Sequence, residues 1–165
     1  MDMKNAPAGR AEAKASGRPG WDSYMMELAR LAASRSTCTR RHVGAVIERG
    51  HRLVSTGYNG SPSGAPHCTE AGCAREGLQS GDRLDLCRAV HAEANAVAQA
   101  ARHGVSLDGA SAHVTCQPCA TCARLLVQAG ISRIVWAEGY PAPDAIRVLE
   151  ESGFAVGGRE ARKVL

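Results

Sequence analysis

Five residues in two short stretches have the types and spacing of a metal site. The first stretch reads His91-x-Glu93 and the second Pro118-Cys119-x-x-Cys122, with 25 residues between Glu93 and Cys119. A catalytic zinc ion takes three protein ligands and keeps one position for water, and one histidine with two cysteines is a usual ligand set. The pattern predicts a zinc ion bound by His91, Cys119 and Cys122.

The spacing also predicts how these side chains are positioned. Cys119 and Cys122 are three residues apart, so on a helix they share one face. His91 and Glu93 are two apart and converge only if a helix directs its first turn at the metal, which a helix over the alanine-rich residues 94–102 would allow. We therefore expect two helix starts facing one ion.

Glu93 fits a proton carrier better than a fourth ligand. Zinc lowers the pKa of bound water from about 15.7 to roughly 7, and a nearby carboxylate can move the released proton to a substrate. Hydrolytic deamination needs this combination of groups. The alternatives are a closed structural zinc site, which normally has a fourth cysteine or histidine, and a chance match.

Composition indicates one domain that is only mildly basic. The chain has 165 residues, a formal charge of +4 and 4% aromatic residues, which suits a small anionic ligand and argues against a nucleic-acid surface. Residues 1–20 are rich in alanine, glycine and arginine without a long apolar run, so we expect a disordered leader, a domain over 21–165 and no membrane anchor. We expect a cytoplasmic protein.

Hydrophobic periodicity predicts an α/β protein. A hairpin precedes the His91 stretch, and strands then alternate with helices, which favours parallel neighbours. The expected fold is a three-layer α/β/α sandwich on a mixed sheet of about five strands. We predict helices from residue 22 or 23 and over 94–102, 119–129 and 144–152, and strands over 43–48, 53–58, 110–115, 133–136 and 154–156.

Seven cysteines and no secretory signal indicate free thiols or metal ligands in a reducing compartment. Cys116 is expected to be a small buried residue in the pocket wall. A long irregular insert over residues 61–88 is unusual in a compact domain unless it has a function or is stabilised by a cross-link. Four remaining cysteines could close a structural zinc site, with His67 as a substitute ligand, or could be ordinary thiols: Cys38, Cys68, Cys73 and Cys87.

With these motifs the sequence resembles the deoxycytidylate (dCMP) deaminases, especially the bacterial late-competence branch. The zinc motif belongs to the whole deaminase superfamily, whereas Gly57-Tyr58-Asn59-Gly60 followed by Pro62 narrows the resemblance to deoxycytidylate. Taken alone, Asn59-Gly60 reads as a turn. The similarity extends over residues 38–156 and is carried by residues 43–47, 56–62, 91–96, 114–122, 128–131 and 140.

The resemblance implies the cytidine-deaminase fold and conversion of dCMP to dUMP and ammonia. His91, Cys119 and Cys122 would bind the catalytic Zn²⁺, and Glu93 would be the acid and base. Asn59, Ala92 and Tyr140 would contact the substrate, Asn59 at the sugar. Members are usually hexamers, many are activated by dCTP and inhibited by dTTP, and some carry a second zinc with ligands placed like Cys38 and Cys68, which Cys73 and Cys87 would complete.

Two other interpretations remain open. One keeps the chemistry and changes the substrate to cytidine, a modified adenylate, a riboflavin precursor or a tRNA adenosine. The other is a non-catalytic zinc module, which Glu93 argues against because a structural site has no use for that carboxylate. No motif identifies the phosphate ligands, for which Arg40, Arg41 and His42 are candidates.

Overall fold

A six-stranded mixed sheet forms the middle layer of the molecule. The computed structural model describes residues 17–140 and 142–164. Strand order is β2-β1-β3-β4-β6-β5. The strands are β1 (Gly44–Arg49), β2 (Arg52–Tyr58), β3 (Ser111–Cys116), β4 (Arg133–Glu138), β5 (Phe154–Gly157) and β6 (Glu160–Lys163); the helices are α1 (Trp21–Ala33), α2 (Cys68–Ala71), α3 (Ala92–Arg102), α4 (Ala120–Gln128) and α5 (Pro143–Glu151).

Side chains that alternate along the strands divide the core between the two faces of the sheet. On one face, Val46 of β1 packs with Met25, Met26 and Ala29 of α1. The neighbouring residues Ala45 and Ile47 belong to a larger core with α3, α4 and α5 on the opposite face. This arrangement confirms the three-layer α/β/α sandwich.

The predicted strand count was one too low, and the parallel neighbours were only partly right. β3 and β4 are parallel, but β6 lies between β4 and β5 and is antiparallel to both. β6 was missed because its sequence, Glu-Ala-Arg-Lys, buries only Ala161 and shows no apolar run. Its place in the sheet therefore depends on pairing with its neighbours rather than on its own composition.

Two glycines let the helices approach the sheet closely. A Cβ atom at Gly57 of β2 would overlap the backbone of Ala92 and Ala96 in α3, and one at Gly44 of β1 would overlap the backbone of Ala29 and Ala33 in α1. Only glycine fits at either contact. Gly57 thereby places the start of α3 against the end of β2.

The insert over residues 61–88 has little regular structure, as predicted. It holds only α2 and a 3-10 turn at Leu84–Leu86. Most of the predicted leader, residues 1–16, lies outside the described residues, so that prediction stays a prediction. None of the helices in the described ranges is long and apolar enough to span a membrane.

Candidate active site

Two helix starts meet at one point, as the sequence predicts. His91 is the N-cap residue of α3, and Cys119 is the N-cap residue of α4. Cys122 lies in the first turn of α4, three residues after Cys119. The positive ends of two helix dipoles therefore face this point, where they stabilise deprotonated thiols.

The ligand atoms of these residues have the spacing that zinc requires. His91 Nδ1 lies 3.5 Å from Cys119 Sγ and 3.5 Å from Cys122 Sγ. Tetrahedral zinc, with Zn–S near 2.3 Å and Zn–N near 2.0–2.1 Å, implies a nitrogen–sulfur separation of about 3.6 Å. Over residues 17–140 and 142–164, this is the one group of three such residues whose ligand atoms all lie within 4.8 Å of one another. The three residues fit Zn²⁺ and leave a coordination position for a small ligand.

The two cysteines and the histidine are electrostatically coupled. The pKa of Cys119 is lowered because the Cys122 thiol donates a hydrogen bond to its sulfur and His91 adds another. For the same reason, together with burial, the pKa of Cys122 is raised. Hydrogen bonding to Cys119 raises the pKa of His91. These hydrogen bonds therefore favour the thiolate form of Cys119, the form that binds metal.

Glu93 lies beside the three ligands but outside their group. It is the second residue of α3 and only 4% exposed. Burial raises the pKa of its carboxyl group to about 6. The Cys122 side chain is among its neighbours. Glu93 thus lies near His91, Cys119 and Cys122 but outside their group, and its role as a proton carrier stays a prediction.

One cavity is lined by His91, Glu93 and Cys119 together with Asn59, Ala92 and Tyr140. The Asn59 side chain is mostly committed to the protein. Its Oδ1 accepts hydrogen bonds from the Val43 N–H (2.8 Å) and Ser36 Oγ (2.7 Å), and its Nδ2 donates to the Arg41 oxygen (2.9 Å). An asparagine amide has one further N–H. The buried Asn59 side chain therefore links three segments of the chain by hydrogen bonds, whereas the dipeptide alone suggests a plain turn.

Arg41 connects separate walls of the cavity, which no sequence motif indicated. Its guanidinium Nη1 lies 3.0 Å from Cys116 Sγ, and its central carbon lies 5.5 Å from the centre of the Tyr140 ring. Cys116 is buried in the cavity wall, as expected. Gln117 Nε2 donates to the Ala142 oxygen at 3.3 Å and so ties down the chain after Tyr140. These contacts hold Arg41, Cys116 and Tyr140 together in the cavity wall.

Four other cysteines line the same cavity, outside the histidine-containing group: Cys38, Cys68, Cys73 and Cys87. Burial and the proximity of the other three thiols raise the pKa of Cys68. The sulfurs of Cys38 and Cys73 each accept a backbone N–H from two residues further along, at 3.5 and 3.4 Å. Cys38, which precedes β1, and the three cysteines of the insert therefore lie along one cavity.

Comparison with known proteins gives the family. The sequence profile described as "Cytidine and deoxycytidylate deaminase zinc-binding region" matches residues 19–138 and covers both metal-binding stretches. The chain belongs to this family. The chain is 47% identical to deoxycytidylate deaminase of Schizosaccharomyces pombe, over 74% of the chain and 38% of that protein. It is 41% identical to ComE operon protein 2 of Bacillus subtilis, over 84% of the chain and 71% of that protein.

Solved structures agree with the fold of this family member. The dCMP deaminase of cyanophage S-TIM5, crystallised with dCMP and dUMP, superposes with a TM-score of 0.69 and 28% identity. That match covers 84% of this chain and 96% of the phage protein. In length, however, the chain spans only 38% and 45% of the deoxycytidylate deaminases of S. pombe and Saccharomyces cerevisiae.

Proposed function

We propose that the chain is a zinc-dependent deoxycytidylate deaminase, which converts dCMP and water to dUMP and ammonia. The observation that carries the proposal is the zinc-fitting group of His91, Cys119 and Cys122 with the buried Glu93 beside it. A structural zinc site would have no use for a buried carboxylate at that place. Deoxycytidylate deaminases among the relatives, and a structural neighbour that binds dCMP and dUMP, support this choice of substrate.

In this proposal Glu93 moves the protons of the reaction. When bound, zinc supplies a Lewis acid that makes water acidic enough to be deprotonated near pH 7. Glu93 accepts that proton and gives it to N3 of the cytosine ring. A new bond forms between C4 and the oxygen of water. The bond between C4 and the exocyclic amine then breaks, and Glu93 transfers a second proton to that amine, which leaves as ammonia.

We further propose substrate contacts for three residues of the cavity. Within the described residues, one amide N–H of Asn59 has no acceptor, and Asn59 would donate this N–H to the sugar. Ala92 contributes the start of α3, where backbone N–H groups have no partner inside the helix and can meet the base. Tyr140, whose ring lies beside the Arg41 guanidinium, would pack against the substrate.

A second zinc ion is proposed for Cys38, Cys68, Cys73 and Cys87. All four thiols line one cavity, and four thiolates complete a tetrahedral structural site. The backbone N–H groups of Arg40 and Arg75, which donate to Cys38 and Cys73, would stabilise the thiolate charge. An insert with so little regular structure would gain its stability from such an ion.

The oligomeric state, effector response and compartment are proposed from the family resemblance. We propose a cytoplasmic homohexamer, activated by dCTP and inhibited by dTTP. All seven cysteines are free, which fits a reducing compartment. Sedimentation with and without each effector tests the assembly, where a monomer under every condition would contradict the hexamer.

A substrate panel tests the proposed activity. Ammonia release is measured from zinc-loaded protein with dCMP, CMP, dCTP, deoxycytidine and methylated adenylates, each with and without dCTP as effector. We expect the highest kcat/KM with dCMP and identify the product as dUMP by its absorbance. Faster turnover of another compound would replace the substrate. No ammonia from any compound, with zinc fully bound, would favour a non-catalytic zinc module.

A further inference from the structure

The cavity beside the metal ligands has an excess of positive charge. Four arginines line it, and among its described lining residues Glu93 is the single carboxylate. An excess of positive charge inside a cavity attracts an anionic ligand. The four arginines are Arg40, Arg41, Arg75 and Arg88.

Two of the arginines are used to hold the insert. Arg40 donates to the backbone oxygens of Arg75 and, at 2.5 Å, Leu78. Arg75 is buried and donates to the backbone oxygens of Asp82 at 2.7 Å and Gln79 at 3.1 Å. These guanidinium groups donate hydrogen bonds to backbone oxygens of the insert, which has little regular secondary structure to supply them. Their donors are therefore largely committed to the fold.

The other two arginines differ in what they contact. Arg41 is engaged with Cys116 and with the Tyr140 ring. Arg88 has a buried Nε–H, and within the described part of the chain no acceptor lies in hydrogen-bond range of it. A buried donor without a partner costs free energy unless a ligand or water accepts the hydrogen bond. Among the described residues, Arg88 is thus the cavity arginine with a buried N–H that has no acceptor, and this N–H can serve a ligand.

The backbone fixes Arg88 close to the reacting groups. It lies three residues before His91, and the intervening Val90 forms a two-way hydrogen-bonded bridge with Gly60 (3.2 and 2.8 Å). Gly60 directly follows Asn59, the proposed sugar contact. A guanidinium group near the sugar subsite is well placed for the phosphate of a nucleotide, whose oxygens it can bind in pairs.

We infer that Arg88 binds the 5′-phosphate and so makes the site select a nucleoside monophosphate over the nucleoside. The inference rests on the proposed function, in which dCMP is the substrate. A competing role exists because the charge of Arg88 also stabilises the thiolate form of Cys68. Arg88 could then serve the cysteines of the insert alone, and the test separates these two roles.

The test compares dCMP with deoxycytidine, which differs only by the phosphate. Arg88→Gln should lower kcat/KM for dCMP by about 10- to 100-fold, mainly through KM, because one charged hydrogen-bonding partner is lost. The same variant should change kcat/KM for deoxycytidine by less than about twofold, and Arg88→Lys should be intermediate for dCMP. Arg102→Gln removes the same charge from the exposed end of α3 and should leave both values unchanged.

Three results would overturn the inference when the wild-type protein deaminates dCMP. Equal losses for dCMP and deoxycytidine, or a lower zinc content in Arg88→Gln, would assign Arg88 to the protein structure. Unchanged kinetics for dCMP would exclude the phosphate contact. If the wild-type protein does not deaminate dCMP, the proposed function fails, and calorimetric binding of dCMP and deoxycytidine decides the inference. A preference for dCMP that Arg88→Gln abolishes would support it, and no preference would refute it.

Discussion

Two groups of cysteines lie at or beside one cavity, and different kinds of structural element position them. Cys119 and Cys122 belong to the first turn of a helix, and their sulfurs already have zinc-like distances to His91. The other four cysteines are Cys38, before β1, and Cys68, Cys73 and Cys87 in the insert. They lie in loops or in the short helix α2, and none of them joins a comparable group within the described residues. Regular elements thus prearrange a metal site, whereas a loop-built site would be completed by its metal.

The largest expected effect concerns the reaction and spares both groups of cysteines. Glu93→Gln should lower kcat by about 10²–10⁴-fold, because the amide cannot carry the proton. Zinc per chain should not change, since Glu93 lies outside the ligand group. Steady-state kinetics and metal analysis provide the measurement. Glu27→Gln, on the exposed face of α1, is the matched control. Near-normal turnover of Glu93→Gln would refute its assigned role.

The comparison predicts that the second metal can be lost while the first is retained. Wild-type protein should contain two zinc ions per chain, and Cys73→Ser should retain one, because a thiolate ligand is lost while the His91 group is intact. The insert should then become sensitive to proteolysis. Cys116→Ser, outside both proposed ligand sets, should keep two ions. A single ion in the wild-type protein would contradict the second site.

A smaller expected effect concerns the two glycines at the helix–sheet contacts, of which only Gly57 contacts the helix that carries Glu93. Gly57→Ala and Gly44→Ala should each lower the free energy of unfolding by about 1–3 kcal/mol, because the new methyl group meets helix backbone. Gly57→Ala should also weaken zinc binding and turnover, since it displaces α3, which carries Glu93. Gly44→Ala displaces α1 instead. Denaturant titrations and zinc affinity provide the measurements, and equal losses of zinc affinity would contradict this division.

The group of His91, Cys119 and Cys122 was predictable because its sequence pattern is local. A histidine and a cysteine that begin helices, and a second cysteine one turn later, are visible as spacings in the sequence. The hairpin strands were predicted within one residue of their observed ends, with Gly50 and His51 both in the left-handed turn conformation. Local periodicity and turn chemistry carry enough information for these elements.

The contacts of the insert and the strand β6 could not be predicted in this way. Arg40 reaches the Leu78 oxygen, 38 residues away, and no local pattern encodes that contact. Arg40 and Arg41, both candidate phosphate ligands from sequence, are engaged with the insert and with the cavity wall. His42 is not among the residues that line the cavity. Arg88 becomes a candidate only when the partners of the other arginines are known.

The smallest expected effect is on the pH dependence of stability, and it comes from His113, which belongs to neither group of metal ligands. His113 of β3 is buried between Val46 and Val135, facing α1. Its Nε2 lies 4.0 Å from the carboxylate oxygens of Asp22 and Glu48. Burial outweighs these acids and lowers the pKa of His113. The folded protein therefore keeps this side chain neutral at pH values where the unfolded chain is protonated.

Stability should consequently decrease as the pH falls below about 6.5, the ordinary histidine value, because the unfolded state then binds more protons. His113→Gln removes this proton uptake and should reduce the loss of unfolding free energy between pH 7 and 5 by about 1 kcal/mol. Protonation of the His91 group contributes equally to both proteins and cancels in the difference. His103→Gln, at the exposed end of α3, should keep the wild-type slope. An unchanged slope in His113→Gln would mean that Asp22 and Glu48 compensate its burial, so that this end of the sheet tolerates a charged histidine.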